Sequence, residues 1–275
     1  MPIMRRCTAV LLLVLATSQP SAGASPDDIA DARRAYNSAQ YDAAVVAARA
    51  AAADPKVAPE ALVILGRALL ERYRSTADGR DLSDARVALL DAGGLPLAPA
   101  LRAEWLVGSA QTLYFEDQFG AAAALFESLL NEPRLEFVGP GGRERLVDWW
   151  ATACDRAAQA HDEKSRTKEY GRLGARLEQE LERDPTLGAA AYWRVVAARG
   201  AGDLDEAWDA AHAAWVRAPL APDRGAQLRA DLERIVLLAL IPELARRAAR
   251  DQDKQAAALR DRWEAFKQRW SIGSR

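Results

Sequence analysis

Reactive side chains are scarce in this sequence. Two histidines and two cysteines stand among 275 residues, so the usual makings of a nucleophile with its base, or of a metal cage, are nearly missing. There is no cysteine pair and no His-Glu-x-x-His helix, and Asp203-Leu204-Asp205-Glu206 lacks the ligands and the glycine that a calcium loop needs next. The histidines are His161 and His212, and no nucleophile is placed near His212 in sequence. His212, four residues after Trp208 and three before Trp215, reads as a packing residue on one helical stripe. Gly139-Pro140-Gly141-Gly142 lacks the Gly-Lys-Ser/Thr ending of a phosphate loop and reads as a connecting turn. Catalysis is not expected, and neither a metal nor a cofactor is called for.

An excess of charge is also missing. With 37 basic and 39 acidic residues the formal net charge is -2, which gives no broad attraction for phosphate backbones or anionic lipid, so nucleic acid is not an expected partner. The one basic excess is local, nine Lys or Arg against five acids from Glu243 to Arg275.

Near the N-terminus the apolar run Ala9 to Ala16 is far short of the roughly 20 residues that span a bilayer. Arg5 and Arg6 precede it and Ala22-Gly23-Ala24 follows, the order of a secretory signal in residues 1–24, cleaved to leave Ser25 first. Cys7 lies before the apolar core, whereas a lipoprotein signal places its cysteine after it. The expected product is a soluble exported bacterial protein, periplasmic, with Cys154 as its one cysteine, buried on a helix and unable to form an internal disulfide.

Apolar residues, by contrast, make up 50% of the chain and alanine is abundant, while alternating β-branched and aromatic patterns are rare. Those proportions predict an all-α protein. A helix, turn, helix unit recurs. In Gly188 to Ala221, Asp203 is placed to cap the second helix, Glu206 to reach back to it, Ala207 and Ala211 follow, and Pro219 closes the unit. Leu62, Leu65, Gly66 and Leu69 keep the spacing W-x-x-L-G-x-x-Y, with Ala85 and Leu89 after a longer turn from Ser75 to Leu82. Near Leu101 to Asn131 come Val107-Gly108, then Ala122 and Phe126; in Ser25 to Ala58 come Tyr41-Asp42, Ala44, Ala48 and Pro55.

These segments resemble the tetratricopeptide repeat. The resemblance divides the chain into residues 25–131 with units one to three, 132–187 with a degenerate helical pair, 188–221 with unit four, and 222–275 with atypical capping helices. In the degenerate part, helices are expected from Arg143 to Ala160 and from Lys164 to Arg183. Beyond it, an apolar helix from Leu228 to Ile241 is expected to break or kink at Pro242.

What the resemblance implies is a right-handed superhelix, an α-solenoid of stacked antiparallel helical hairpins, whose inner groove is lined by the first helix of each unit. The groove residues would be Arg33, Tyr36 and Asn37; Val63, Arg67 and Glu71; Trp105, Ser109 and Thr112; and Tyr192, Val196 and Arg199. The Lys and Asn pattern with which the family clamps a C-terminal carboxylate is absent from them. The function implied is a non-enzymatic scaffold or adaptor that holds a peptide or partner helix, in envelope assembly or secretion.

Two rivals remain: an enzyme with its site in Phe137 to Asp184 or Asp223 to Arg275, and a purely structural, self-associating subunit. Leu259, Trp263, Phe266 and Trp270 form a further stripe, expected to cap the preceding apolar helix and otherwise to meet a partner. Of the eight tryptophans, Trp149 and Trp150 point about 100° apart on a helix, so at least one should be partly exposed. N-terminal sequencing of the purified native protein should read Ser25 first; an intact Met1 would overturn the signal assignment.

Overall fold

The computed structural model describes residues 26–132, 141–247 and 250–270, and every regular element among them is helical. The expected signal segment lies outside the described residues, as do Gly139 and Pro140 of the glycine-rich turn. In order come α1 (Pro26–Asn37), α2 (Tyr41–Ala51), α3 (Ala58–Thr76), α4 (Gly79–Gly93), α5 (Pro99–Phe115) and α6 (Phe119–Leu130). Then follow α7 (Gly142–Gln159), α8 (Glu163–Arg183), α9 (Gly188–Gly200), α10 (Leu204–Arg217), α11 (Ala226–Ile235), α12 (Ile241–Arg246) and α13 (Gln252–Trp270).

Short turns fold neighbouring helices back on one another, and four of the turns share one construction. Ala39, Ala77, Asp117 and Gly202 each adopt a left-handed backbone, with φ of 56°, 55°, 59° and 84°, and in each case the next helix starts two residues later. In three of them the following amide reaches back five residues, Gln40 to Ala35, Gln118 to Leu113 and Asp203 to Ala198, at 2.9, 2.8 and 3.0 Å. That bond satisfies a carbonyl that the end of the first helix would leave orphaned. Asp203 caps α10 as its position predicts, accepting from the Glu206 amide at 3.0 Å. The Glu206 carboxylate does not reach back to complete a capping box. It accepts from Arg194 instead, at 2.6 Å.

Three of the second helices then meet their partners through a small side chain. Ala44, Ala122 and Ala207 fall four residues after the caps of α2, α6 and α10, and all three are fully buried; so are Ala48, Phe126 and Ala211 one turn on. Neighbouring hairpins are joined chiefly where the second helix of one packs on the first helix of the next, α2 on α3, α4 on α5, α6 on α7 and α8 on α9. First helices also meet, α1 with α3, α3 with α5, α7 with α9 and α9 with α11.

The core has two blocks, one across α1 to α4 and one from α5 to α13. Trp105 bridges them: its ring lies where a Cβ on Gly93 would come within 2.9 Å, and its indole Nε1 donates to the Leu89 carbonyl at 2.7 Å.

Pro242 does not break the helix that precedes it. The chain passes from α11 through a wider π stretch, Val236–Leu240, directly into α12, which ends at Arg246. A proline offers no amide and its ring crowds the carbonyl four residues back; one turn of looser winding removes both conflicts without ending the helix.

Gly66 is where α3 and α4 come closest, since a Cβ there would meet Leu89 Cγ at 2.6 Å and the Ala85 carbonyl oxygen at 3.3 Å. Replacing Gly66 with Leu should cost about 1–3 kcal/mol by overpacking. Gly79, with nothing within 4 Å of a built Cβ, should accept Ala without loss. Thermal melts of the two variants compare them directly, and equal stability would mean that the α3 and α4 crossing does not depend on glycine.

Candidate partner-binding face

Counting back from the left-handed turn residue puts the first helices in a common register. Three residues before each turn stand Tyr36, Arg74, Tyr114 and Arg199, none of them buried. Around the first three lies a continuous polar and aromatic surface. Arg33 of α1 donates to Glu60 of α3 at 2.7 Å and to Glu104 of α5 at 2.7 Å, and Arg67 donates to the same Glu104 at 2.7 Å. Burial works against the Arg33 charge, but its bonds to Glu60 and Glu104 outweigh it and raise its pKa. The Arg67 guanidinium lies 4.8 Å from the centre of the Tyr36 ring. Burial likewise pushes the Tyr36 phenol up, so it stays neutral and a hydrogen-bond donor.

Farther along, Tyr73, Tyr114, Phe115 and Trp149 form an aromatic cluster drawn from α3, α5 and α7. Phe115 meets Tyr73 at 5.1 Å and Trp149 at 5.8 Å, and Tyr114 meets Trp149 at 5.3 Å, all edge-on. Arg74 covers Trp149 at 5.5 Å. All four rings are half-buried.

The expected groove residues divide. Arg33, Tyr36, Arg67 and Glu71 belong to this surface, Asn37 beside them is exposed, and Tyr192, Val196 and Arg199 lie half-open on α9. Val63 and Thr112 do not reach the surface. Val63 is fully buried because α3 is packed by α1, α2, α4 and α5, and Thr112 is turned inward, its hydroxyl donating to the Gly108 carbonyl at 2.9 Å. Trp105 is committed to the junction with Gly93, and Ser109 is half-buried beside it on α5. Arg74 and Tyr114 were missed because α3 and α5 were registered on the Leu-Gly and Val-Gly pairs. Counting from the turns gives the other stripe. Of the two adjacent tryptophans on α7, Trp149 is the partly exposed one and Trp150 is buried.

The α13 stripe is mostly covered. Leu259 and Trp263 are buried, Phe266 is half-buried and Trp270 is exposed. Trp263 meets Trp208 at 6.0 Å and Trp215 at 5.4 Å, and its Nε1 donates to Glu233 of α11 at 3.1 Å. His212 packs against Phe266 with ring centres 4.1 Å apart.

Two clefts open elsewhere. One of about 210 Å³ is lined by Glu178, Arg194, Glu206, Asp209 and Arg217, the other of about 430 Å³ by Arg199, Glu243, Arg246 and Arg247. Arg194 already pairs with Glu178 and Glu206, and Arg199 with Glu243, and the residues lining the two clefts include no serine, threonine, cysteine, lysine or histidine. Among the described residues no group of His, Cys, Asp and Glu could hold a metal ion, and no helix is long and apolar enough to cross a membrane. Cys154 is half-buried on α7, and burial, with Glu127, Glu169 and Asp155 adding, pushes its thiol up to about 12. Compared with protein-family models, curated proteins and solved structures, the chain matches none.

His212 gives this region a pH signature. Burial lowers its pKa below the ordinary 6.5, with Arg262 and Arg269 pushing the same way and Asp209 opposing. Its native form therefore holds fewer protons than the unfolded chain, so stability is present above pH 6.5 and is lost as the pH falls from there through the folded pKa. The melting temperature of the parent should drop between pH 7 and pH 5 by more than that of His212→Asn; parallel curves would remove His212 from the account.

Proposed function

We propose that the helical hairpins build a right-handed superhelix of the tetratricopeptide kind and that the protein is an exported, non-enzymatic scaffold or adaptor. Its first-helix face takes an extended peptide or a helix of another protein, in assembly of the cell envelope or in secretion. The observation that carries this reading is the repeated register. Tyr36, Arg74 and Tyr114 occupy one position relative to three successive turns, so a partner running along the face meets an aromatic or cationic side chain from each hairpin.

Support comes also from the chemistry of that face. Half-buried tyrosine, tryptophan and arginine are the side chains that most often anchor a protein contact, since each offers wide apolar area with a polar edge. Their rings brace one another, and the arginines are held by Glu104 or by stacking, so little side-chain freedom remains to be lost on binding. On the outer side, Val46 is exposed on α2, and Val87 and Leu90 are exposed one turn apart on α4.

A photo-crosslinking side chain at position 114 should capture a discrete partner in intact cells, and one at position 46 should not. Trp149→Ala and Arg74→Ala should each weaken that partner about tenfold or more, and Arg74→Ala should do so with the melting temperature within a few degrees of the parent. Equal capture from both positions, or full affinity in both variants, would reject this face.

A further inference from the structure

Where the end of α10 meets the start of α11, two side chains hold nitrogen atoms that touch neither solvent nor an acceptor. Arg229 stands in the first turn of α11 with its guanidinium carbon 5.0 Å from the centre of the Trp215 ring. Nε and Nη2 of Arg229 and Nε1 of Trp215 are all buried and without a hydrogen-bond partner. Nε of Arg67 and Nε1 of Trp150 are also buried without a partner, but the Arg67 guanidinium still pairs with a carboxylate, as other half-buried arginines do: Arg33 and Arg67 with Glu104, Arg143 with Glu180, Arg199 with Glu243.

The carboxylate that helical spacing offers Arg229 is Glu233, one turn along the same helix. Glu233 is fully engaged by α13. Lys267 Nζ donates to its two oxygens at 2.7 and 2.9 Å, and Trp263 Nε1 donates at 3.1 Å. Lys267 itself lies 5.7 Å from the centre of the Trp215 ring, so two cations flank one indole. Buried donors in native proteins are almost always paired, and a charged donor left alone is the costliest exception. The corner is cationic, rich in N–H groups and short of one acceptor.

We infer that it is a carboxylate site. A carboxylate takes the two N–H groups along the Nε and Nη2 edge of Arg229 side by side, the arrangement in which arginine holds a planar anion best, and the Trp215 indole donates to one of the same oxygens. Nε and Nη2 of Arg229 are already stripped of water, so their desolvation precedes binding, and a shift of the flexible stem turns that edge to the carboxylate. The site lies between α10, α11 and α13, and does not depend on the first-helix face or on the partner proposed for it.

The test uses the full chain with ¹⁵N-labelled tryptophan, the Trp215 indole signal being assigned by its loss in Trp215→Phe. Titration with acetate, against chloride at matched ionic strength, should move that signal saturably and raise the melting temperature. Arg229→Met should weaken the response about tenfold or more while leaving the other indole signals in place. Arg229→Lys, which keeps the charge but not the fork, should fall between, and serves if the Met variant does not fold. Two short peptides separate the sources of the carboxylate: one with an internal Glu and an amidated end, one without acids and with a free end. Whichever of acetate and the peptides shifts Trp215 names the form that enters. An unmoved Trp215 signal with all three, an equal shift with chloride, or an undiminished shift in Arg229→Met overturns the site and leaves a structural water as the missing partner.

Discussion

Everything in this molecule depends on how closely one helix can lie against the next. A chain so rich in alanine cannot fill wide gaps between helices, and it folds by making the gaps narrow. Fully buried Ala44, Ala122 and Ala207 stand at the same distance beyond their turns, and Gly66 leaves room for Leu89 where even a methyl group would collide. Close approach gains many weak dispersion contacts and leaves no void, but it tolerates no added bulk. The left-handed turn residues follow from the same demand, because a tight hairpin must reverse direction within two or three residues without orphaning its last carbonyls.

Polar contacts then fix which hairpin sits beside which. Glu104 of α5 gathers arginines from α1 and α3, so one carboxylate ties three hairpins. Farther on, Glu144 and Asp148, one turn apart on α7, accept from the Ala189 amide at 2.6 Å and the Trp193 indole at 2.9 Å, again one turn apart on α9. Each such pair is only part-buried, so its net contribution to stability is modest. Its geometry is demanding, and a slip of one helical turn would leave the same groups desolvated and unpaired. Alanine faces set the spacing and these ties set the register.

The sequence made the helices legible because their apolar periods are strong and their turns carry small or acidic residues. The paired helices α7 and α8 fall within two residues of the expected ranges at every end, and Asp203 caps as its position implies. Helix rotation was harder to read. The Leu-Gly and Val-Gly pairs mark where α3 and α5 approach a neighbour, which says nothing about the face left open, and Val63 and Thr112 were assigned outward on that basis. The left-handed residues that set the common register are Ala39, Ala77, Asp117 and Gly202, and only the glycine advertises its conformation. Of the break or kink expected at Pro242, the break does not occur, because the chain changes its winding locally just before the proline, which is invisible in the residue string.

Cys154 carries a consequence of a different kind. With its thiol pushed up to about 12, Cys154 stays almost wholly in the unreactive protonated form at neutral pH while α7 and α8 stay packed. An opened segment returns the group to its ordinary acidity, and its reactivity rises by orders of magnitude. The rate at which a thiol reagent consumes Cys154 is therefore a clock for the opening of α7. It registers excursions too rare for a melting curve to record and needs no engineered label.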